Sequence, residues 1–256
     1  MREAALSTLP RAKNAPMRLP RQAWLLARND LRQEMREWEL VATAGFFTLV
    51  VLVMFALAFA TLSRDAQVLA VPGMLWLTVA FVGALTLTRI FDRERESDTL
   101  RALLAAPVER LAIYLGKALV TLLVLLGCCA ILVPGVVLLF PAAAPLAEHP
   151  IQTVTLVVLG CLAYTSVGTL FAAGLATSGG KNVLLSVILY PLTTPALIFA
   201  LVATRALIEN HPDFSKYLSQ LAALDIVLVG LSGWLFESVL VGTGARRAPT
   251  TRRRRG

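Results

Sequence analysis

Residues 92–104 place seven charged side chains directly against leucines at helical spacing: Asp92, Arg93, Glu94, Arg95, Glu96, Asp98 and Arg101, with Leu100, Leu103 and Leu104. Asp98 or Thr99 can cap a helix N-terminus, which predicts a short helix over about 99–105. Leu100, Leu103 and Leu104 then share a side that Val108 and Leu111 continue, while Arg101 and Arg110 fall elsewhere and Pro107 divides the pattern. The chemistry of such a segment is adhesion. A small amphipathic helix of this kind fits a groove on a soluble partner, and equally it can lie in a lipid headgroup layer.

Catalytic equipment is absent. GLATSGGKN, residues 174–182, is the nearest approach to a phosphate-binding loop. It has five residues between its first Gly and the Gly-Lys pair where four are needed, and Asn182 stands where Ser or Thr would hold magnesium. Gly179, Gly180, Lys181 and Asn182 therefore read as a tight turn, and the chain is not expected to hydrolyse ATP. No HExxH, paired-carboxylate or Ser/His/Asp constellation occurs. His149 and His211 both precede proline, in EHP and NHP. They read first as surface residues, with ligation of a metal or haem iron as the alternative. Cys128, Cys129 and Cys161 fall inside apolar runs, where cysteine acts as a small apolar residue, and no CxxC motif implies a metal site or a disulfide framework.

Two features inside apolar runs carry further chemistry. Tyr190, Pro191, Thr194 and Pro195 belong to YPLTTPALIFALVA, where two prolines four apart each remove a backbone donor. Thr193 and Thr194 hydroxyls can bond the freed carbonyls, which allows either a bend along a transport pathway or a packing kink. Asp225 and Glu237 are ionisable residues within the last apolar run. Asp225 is placed a few residues into that run and Glu237 near its other end, so both are expected to reach an interface.

The elements that position these residues follow from composition. With 57% hydrophobic and 16% charged residues, the chain is too apolar for a soluble domain. Six runs, approximately 43–62, 69–89, 115–140, 151–176, 183–205 and 220–242, are each long enough to cross a hydrocarbon core, which takes about 20 helical residues. FFTLVVLVMFALAFATL is apolar on every side, which excludes the alternation of a barrel strand. The expected fold is an all-α, six-span membrane domain over 43–242. Gly168, Ala172 and Ala176 mark a close-packing stripe on the fourth span. Ahead of the domain, Trp24, Leu25, the stem of Arg28, Leu31, Met35, Trp38 and Val41 predict an interfacial amphipathic helix over 21–42, with both tryptophans at headgroup level. Residues 1–20, with Pro10, Pro16 and Pro20, read as a disordered extension in which Met17 is an alternative start. They lack the form of a cleavable signal. Residues 243–256 form a basic tail.

Basic residues set the orientation. Twenty-one of the 24 Lys and Arg lie in 1–42, 89–117, 177–182 and the tail, against Arg64, Arg205 and Lys216 in the other loops. Short cytoplasmic loops retain such residues, so both termini and the 90–117 segment are expected in the cytoplasm. The net charge of +8 is then a topology signal, and no nucleic-acid partner is expected.

Three stretches carry a family resemblance: ARNDLRQEMREWELVATAGFFTLVVLVMFALAF at 27–59, VPGMLWLTVAFVGALTLTRIFDRERESDTLRALLAAPVERLAIYLGK at 71–117, and LLSVILYPLTTPALIFALVA at 184–203. With the six spans and basic N-terminal helix, they resemble the CcmB family, the haem-exporter permease of bacterial cytochrome c maturation. The chain departs from the family's usual acidic-Gly-Ser/Thr-Leu-Glu run with Ser97, Asp98, Thr99, Leu100 and Arg101, and from its Phe-Gly with Phe199 and Ala200. The resemblance implies a multi-pass permease of the bacterial plasma (inner) membrane that binds no cofactor itself. A CcmA-type ATPase would grip the segment between spans two and three and use ATP in trans. CcmC-type and CcmD-type membrane subunits, a CcmE-type haem chaperone and a second copy of the permease are the further implied partners. Haem is the implied substrate, either crossing through this chain or leaving on a chaperone released by ATP-driven motion. On residues alone, an exporter permease for lipid, polysaccharide or drug, and a non-transporting scaffold, remain open.

Overall fold

The computed structural model describes residues 19–96, 109–178 and 182–244, and its regular structure there is entirely helical. The predicted helix over 99–105, the turn at 179–181, nearly all of the N-terminal extension and the tail beyond Gly244 lie outside the described residues. Among the described residues there are eight α-helices: α1 Leu19–Glu37, α2 Glu39–Phe59, α3 Arg64–Glu96, α4 Arg110–Leu139, α5 Ala144–Glu148, α6 Pro150–Ser178, α7 Asn182–Ile208 and α8 Phe214–Gly244. A 3-10 turn, Pro141–Ala143, leads into α5. Six of the helices, α2, α3, α4, α6, α7 and α8, are long and apolar enough to cross a membrane.

Several helix ends differ from the expected bounds, among them the starts of α3 at Arg64, before 69, and of α4 at Arg110, before 115. The N-terminal helix stops at Glu37, short of 42, because Trp38 adopts a left-handed conformation (φ 55°, ψ −9°) from which α2 restarts at Glu39. The second span does not give way to a loop after 89. α3 continues through Glu96, a stretch carrying the good helix formers Arg93, Glu94, Arg95 and Glu96. The last helix starts at Phe214, not 220, since Pro212 and Asp213 break the chain and the Asp213 carbonyl accepts from Lys216 and Tyr217 N–H.

Burial orders the helices. α6 and α3 are central, with 72% and 61% of their apolar windows buried, against 22% for α2 and 17% for α8. On α2 the buried positions Leu40, Ala44, Thr48 and Leu52 fall every four residues, while Phe46, Val53, Met54 and Leu57 face outward. Such an outer apolar face is what hydrocarbon tails require of a spanning helix. Inside, threonine hydroxyls are satisfied by carbonyls four residues earlier: Thr48 to Ala44, Thr78 to Met74, Thr86 to Val82, each at 2.8 Å.

The central pair α3 and α6 interlock reciprocally. Trp76 of α3 fills the space where a Cβ on Gly160 would be, and Tyr164 of α6 does the same over Gly83. Only glycine permits either approach, a larger residue forcing the helices apart. Both rings also find partners for their polar atoms, as buried aromatic side chains must. Trp76 Nε1 donates to Thr204 Oγ1 on α7 at 2.7 Å, and the Tyr164 hydroxyl donates to the Ala80 carbonyl on α3 at 2.8 Å.

Candidate functional site

The charged segment singled out from its sequence emerges from two helices whose ends are fixed. Asp92, Arg93, Glu94, Arg95 and Glu96 form the last turn and a half of α3. Asp98, Thr99, Leu100, Arg101, Leu103, Leu104 and Pro107 lie outside the described residues. On the α3 side, Arg89 Nη1 meets Glu39 Oε1 at the start of α2 at 2.9 Å. On the α4 side, Glu109 N–H donates to Gln22 Oε1 of α1 at 3.1 Å.

Two turns further along α4, Lys117 Nζ contacts Asp30 Oδ2 of α1 at 2.6 Å, with only 8% and 24% of these side chains exposed. The two salt bridges differ in weight. Arg89 and Glu39 are half or more exposed, so water screens them and their attraction is worth on the order of 0.5 kcal/mol. The Lys117–Asp30 pair is largely withdrawn from water and is the firmer clamp.

α1 is therefore not only an interfacial helix. Its small face, Ala23 and Ala27, is buried, and Gly116 of α4 lets it come close: a Cβ there would stand 3.1 Å from Leu26 Cβ and 3.3 Å from the Ala23 carbonyl. Trp24 and Trp38 point away, 57% and 60% exposed, as the amphipathic pattern indicates. Ala23, Ala27 and Asp30 recur at spacings of four and three, a single helical face. Reading the sequence for amphipathicity missed this second face of α1, and that spacing is the one signal that could have found it. Its partner, 87 positions away at Lys117, was not legible in the sequence.

From α4 the connection reaches the core. The Tyr114 hydroxyl donates to the Ser166 carbonyl of α6 at 3.1 Å, and its ring lies 5.1 Å from that of Phe236 on α8. Tyr114 is 1% exposed. α3 and α4, the two helices that flank 97–108, are thus both tied to α6.

The other candidates are more dispersed. α7 is helical through Pro191 and Pro195, and both prolines, with Thr194, are exposed while Thr193 is buried. Tyr190 lies in the same helix. At the end of the bundle opposite 97–108, Asn210 takes a left-handed conformation (φ 51°) that closes α7: its N–H bonds the Leu207 carbonyl at 3.1 Å, and His211 N–H bonds that of Ala206 at 2.8 Å. This cap aims Asn210 Oδ1 at His149 Nε2, 3.1 Å away. His211 Nδ1 accepts from Asp213 N–H at 3.2 Å, and its ring lies 6.5 Å from that of Tyr217. The two histidine loops are thereby joined. Among the described residues no group of three or more His, Cys, Asp or Glu could hold a metal ion.

Asp225 corrects its expected place at an interface. Because α8 begins at Phe214, the residue lies about three turns inside the helix, and it is 3% exposed.

Comparison with known proteins gives one answer. A model of the family described as CcmB protein matches residues 21–240. Heme exporter protein B of Escherichia coli (strain K12) is 31% identical over 206 residues, covering 78% of this chain and 89% of that protein. Heme exporter protein B of Bradyrhizobium diazoefficiens is 31% identical over 215 residues, 79% of this chain and 89% of that one. With six long apolar helices and a family match across nearly all of them, the chain is a multi-pass inner-membrane protein that belongs to the CcmB family.

Proposed function

We propose that this chain is the membrane permease of a haem-export system in cytochrome c biogenesis, driven by ATP hydrolysed on a separate subunit. The observation that carries the reading is the 31% identity to heme exporter protein B over 89% of its length in both relatives. In this reading both termini and the 90–117 segment are cytoplasmic, the 99–105 helix docks into a CcmA-type ATPase, and residues from Asp92 to Leu104 form the grip. CcmC-type and CcmD-type subunits, a CcmE-type chaperone and a second copy of the permease complete the assembly.

The mechanism follows the linkage. Closure of the ATPase pair pushes the docked helix, α3 and α4 move with it, and α1, clamped through Asp30 and Gln22, keeps the emerging ends in register. Tyr114 and the Trp76–Gly160 and Tyr164–Gly83 locks pass the displacement to α6 and on to the far end. There His149 and His211 are candidate contacts for haem iron. A neutral imidazole nitrogen can ligate iron, and because His149 Nε2 donates to Asn210 Oδ1, His149 would offer its Nδ1. The Pro191–Pro195 segment would bend as α7 accommodates the motion.

The test begins with Leu100→Asp and Leu103→Asp, which place charge on the docking face. Loss of ATPase co-purification with normal membrane abundance is expected; unchanged co-purification removes the coupling assignment. Vesicles holding permease and ATPase should then move haem only with ATP. Hydrolysis without haem movement would leave this chain to release loaded chaperone instead of carrying haem.

A further inference from the structure

The last span holds a carboxyl group that the mechanism above does not use. Neither oxygen of Asp225 meets a hydrogen-bond donor among the described residues. It sits on the narrow stripe, Phe214, Leu221, Asp225, Ser232 and Phe236, by which α8 meets the bundle, while Ile226, Val227 and Trp234 face outward.

The charges presented by its neighbours decide its state. α8 packs against α6, α7 and α4. α6 contains no acidic or basic residue, and its titratable side chains are Cys161 and Tyr164, the latter's hydroxyl already donated to Ala80. α7 contributes Tyr190 and Arg205. Arg205 is held by Glu209 at 2.9 Å, and counting from the shared 209–213 turn it lies about 12 Å nearer the bundle end than Asp225. On α4, Arg110 and Lys117 stand at the opposite end, with Lys117 on Asp30, and Tyr114, Cys128 and Cys129 offer no positive charge. On α8 itself, Lys216 and Tyr217 precede Asp225 by two turns or more, and Glu237 follows by three. No described counter-charge stands at its depth.

A bare carboxylate in that position would be costly, since hydrocarbon and packed side chains replace none of its hydration, whereas the uncharged acid is tolerated. We propose that Asp225 is a proton-binding site within the membrane, filled in the arrangement described here and exchanging only when α8 parts from α6 and α7 far enough to admit water. α8 is the most peripheral of the six spans by burial, so water reaching Asp225 would have to open only its seam with α6 and α7.

Infrared difference spectroscopy of the full chain in lipid nanodiscs, wild type against Asp225→Asn, reads the proton directly. The carbonyl stretch of a protonated carboxylic acid should be present in wild type and missing from the variant, and in deuterated buffer it should shift slowly. Loss of a carboxylate band instead, or a shift as fast as that of exposed acids, overturns the proposal. Should Asp225→Asn fail to fold, Asp225→Glu keeps the acid and must move the same band. A band unmoved by that change also overturns it. None of these readouts involves haem or the ATPase, so their failure would leave the permease reading standing, and the reverse holds.

Discussion

A cation and an anion placed 87 positions apart in sequence decide how α4 is held against α1. Lys117 keeps only 8% of its side-chain exposure and Asp30 24%, so removing either takes away a counter-charge where water reaches poorly. Asp30→Ala is therefore expected to cost on the order of 2 kcal/mol, below the 3–5 kcal/mol of a fully buried broken pair because Asp30 keeps some solvent. Lys117→Met should cost less, since it removes the charge and leaves an apolar stem in place. If the clamp has the mechanical role proposed for it, Asp30→Ala will also lower cytochrome c yield more than it lowers membrane abundance. The charge swap Asp30→Lys with Lys117→Asp should recover part of both. Parallel measurement of abundance in membranes and of haem-stained cytochrome c checks this, and a swap no better than the single variants would count against the clamp. Hydropathy could not have paired these residues, because it treats Lys117 as one of six basic groups in a loop and Asp30 as the polar side of an interfacial helix. Only the spacing of Ala23, Ala27 and Asp30 hints that α1 has a second, protein-facing side.

At the scale of elements, the apolar runs were legible because hydrocarbon demands about 20 consecutive helical residues and nothing else in the chain meets that demand. The ends were not, since a helix can outrun the membrane wherever its next residues are good helix formers. α3 does so through Asp92–Glu96, and α8 through Ser215, Lys216 and Gln220, whose polarity reads as loop. Misplacing the start of α8 by six residues was enough to put Asp225 at an interface in the sequence and deep in the helix in the structure. The seam between α1 and α4 was hidden for another reason: it is built from Ala23, Ala27 and Gly116, which contribute closeness rather than hydrophobicity. It gives a direct prediction. Gly116→Leu must displace Leu26 and the α1 backbone, since even a Cβ would come within 3.1 to 3.5 Å of them. The Lys117–Asp30 and Glu109–Gln22 contacts should part with it. Trypsin is then expected to cut at Arg28 and Arg32 several-fold faster than in wild type, whereas Gly116→Ala should show a smaller increase. Equal cleavage in all three proteins would mean that α1 does not depend on this seam.

For the whole molecule the decisive question is which end of the bundle meets the cytoplasm. The helical block itself is indifferent: α3, α4, α6 and α7 are bound by Trp76 to Thr204, Tyr164 to Ala80 and Tyr114 to Ser166, contacts that would hold equally well inverted. What breaks the symmetry is charge, with 21 of 24 basic residues in 1–42, 89–117, 177–182 and the tail by sequence, and retention of Lys and Arg on the cytoplasmic side acts during insertion rather than through any contact in the finished fold. The three native cysteines are buried, at 7%, 3% and 0% exposure, so the folded chain has little thiol background and single cysteines can report the two ends cleanly. Glu148 and Glu109 are exposed and lie at opposite ends. In intact cells stripped of their outer membrane, Glu148→Cys is expected to react with a membrane-impermeant maleimide at once. Glu109→Cys should react only after the inner membrane is opened. Labelling of Glu109→Cys from outside would turn the molecule over, put the proposed grip of Asp92 to Leu104 beyond the reach of any cytoplasmic ATPase, and carry His149 and His211 to the side where the proposed export would begin.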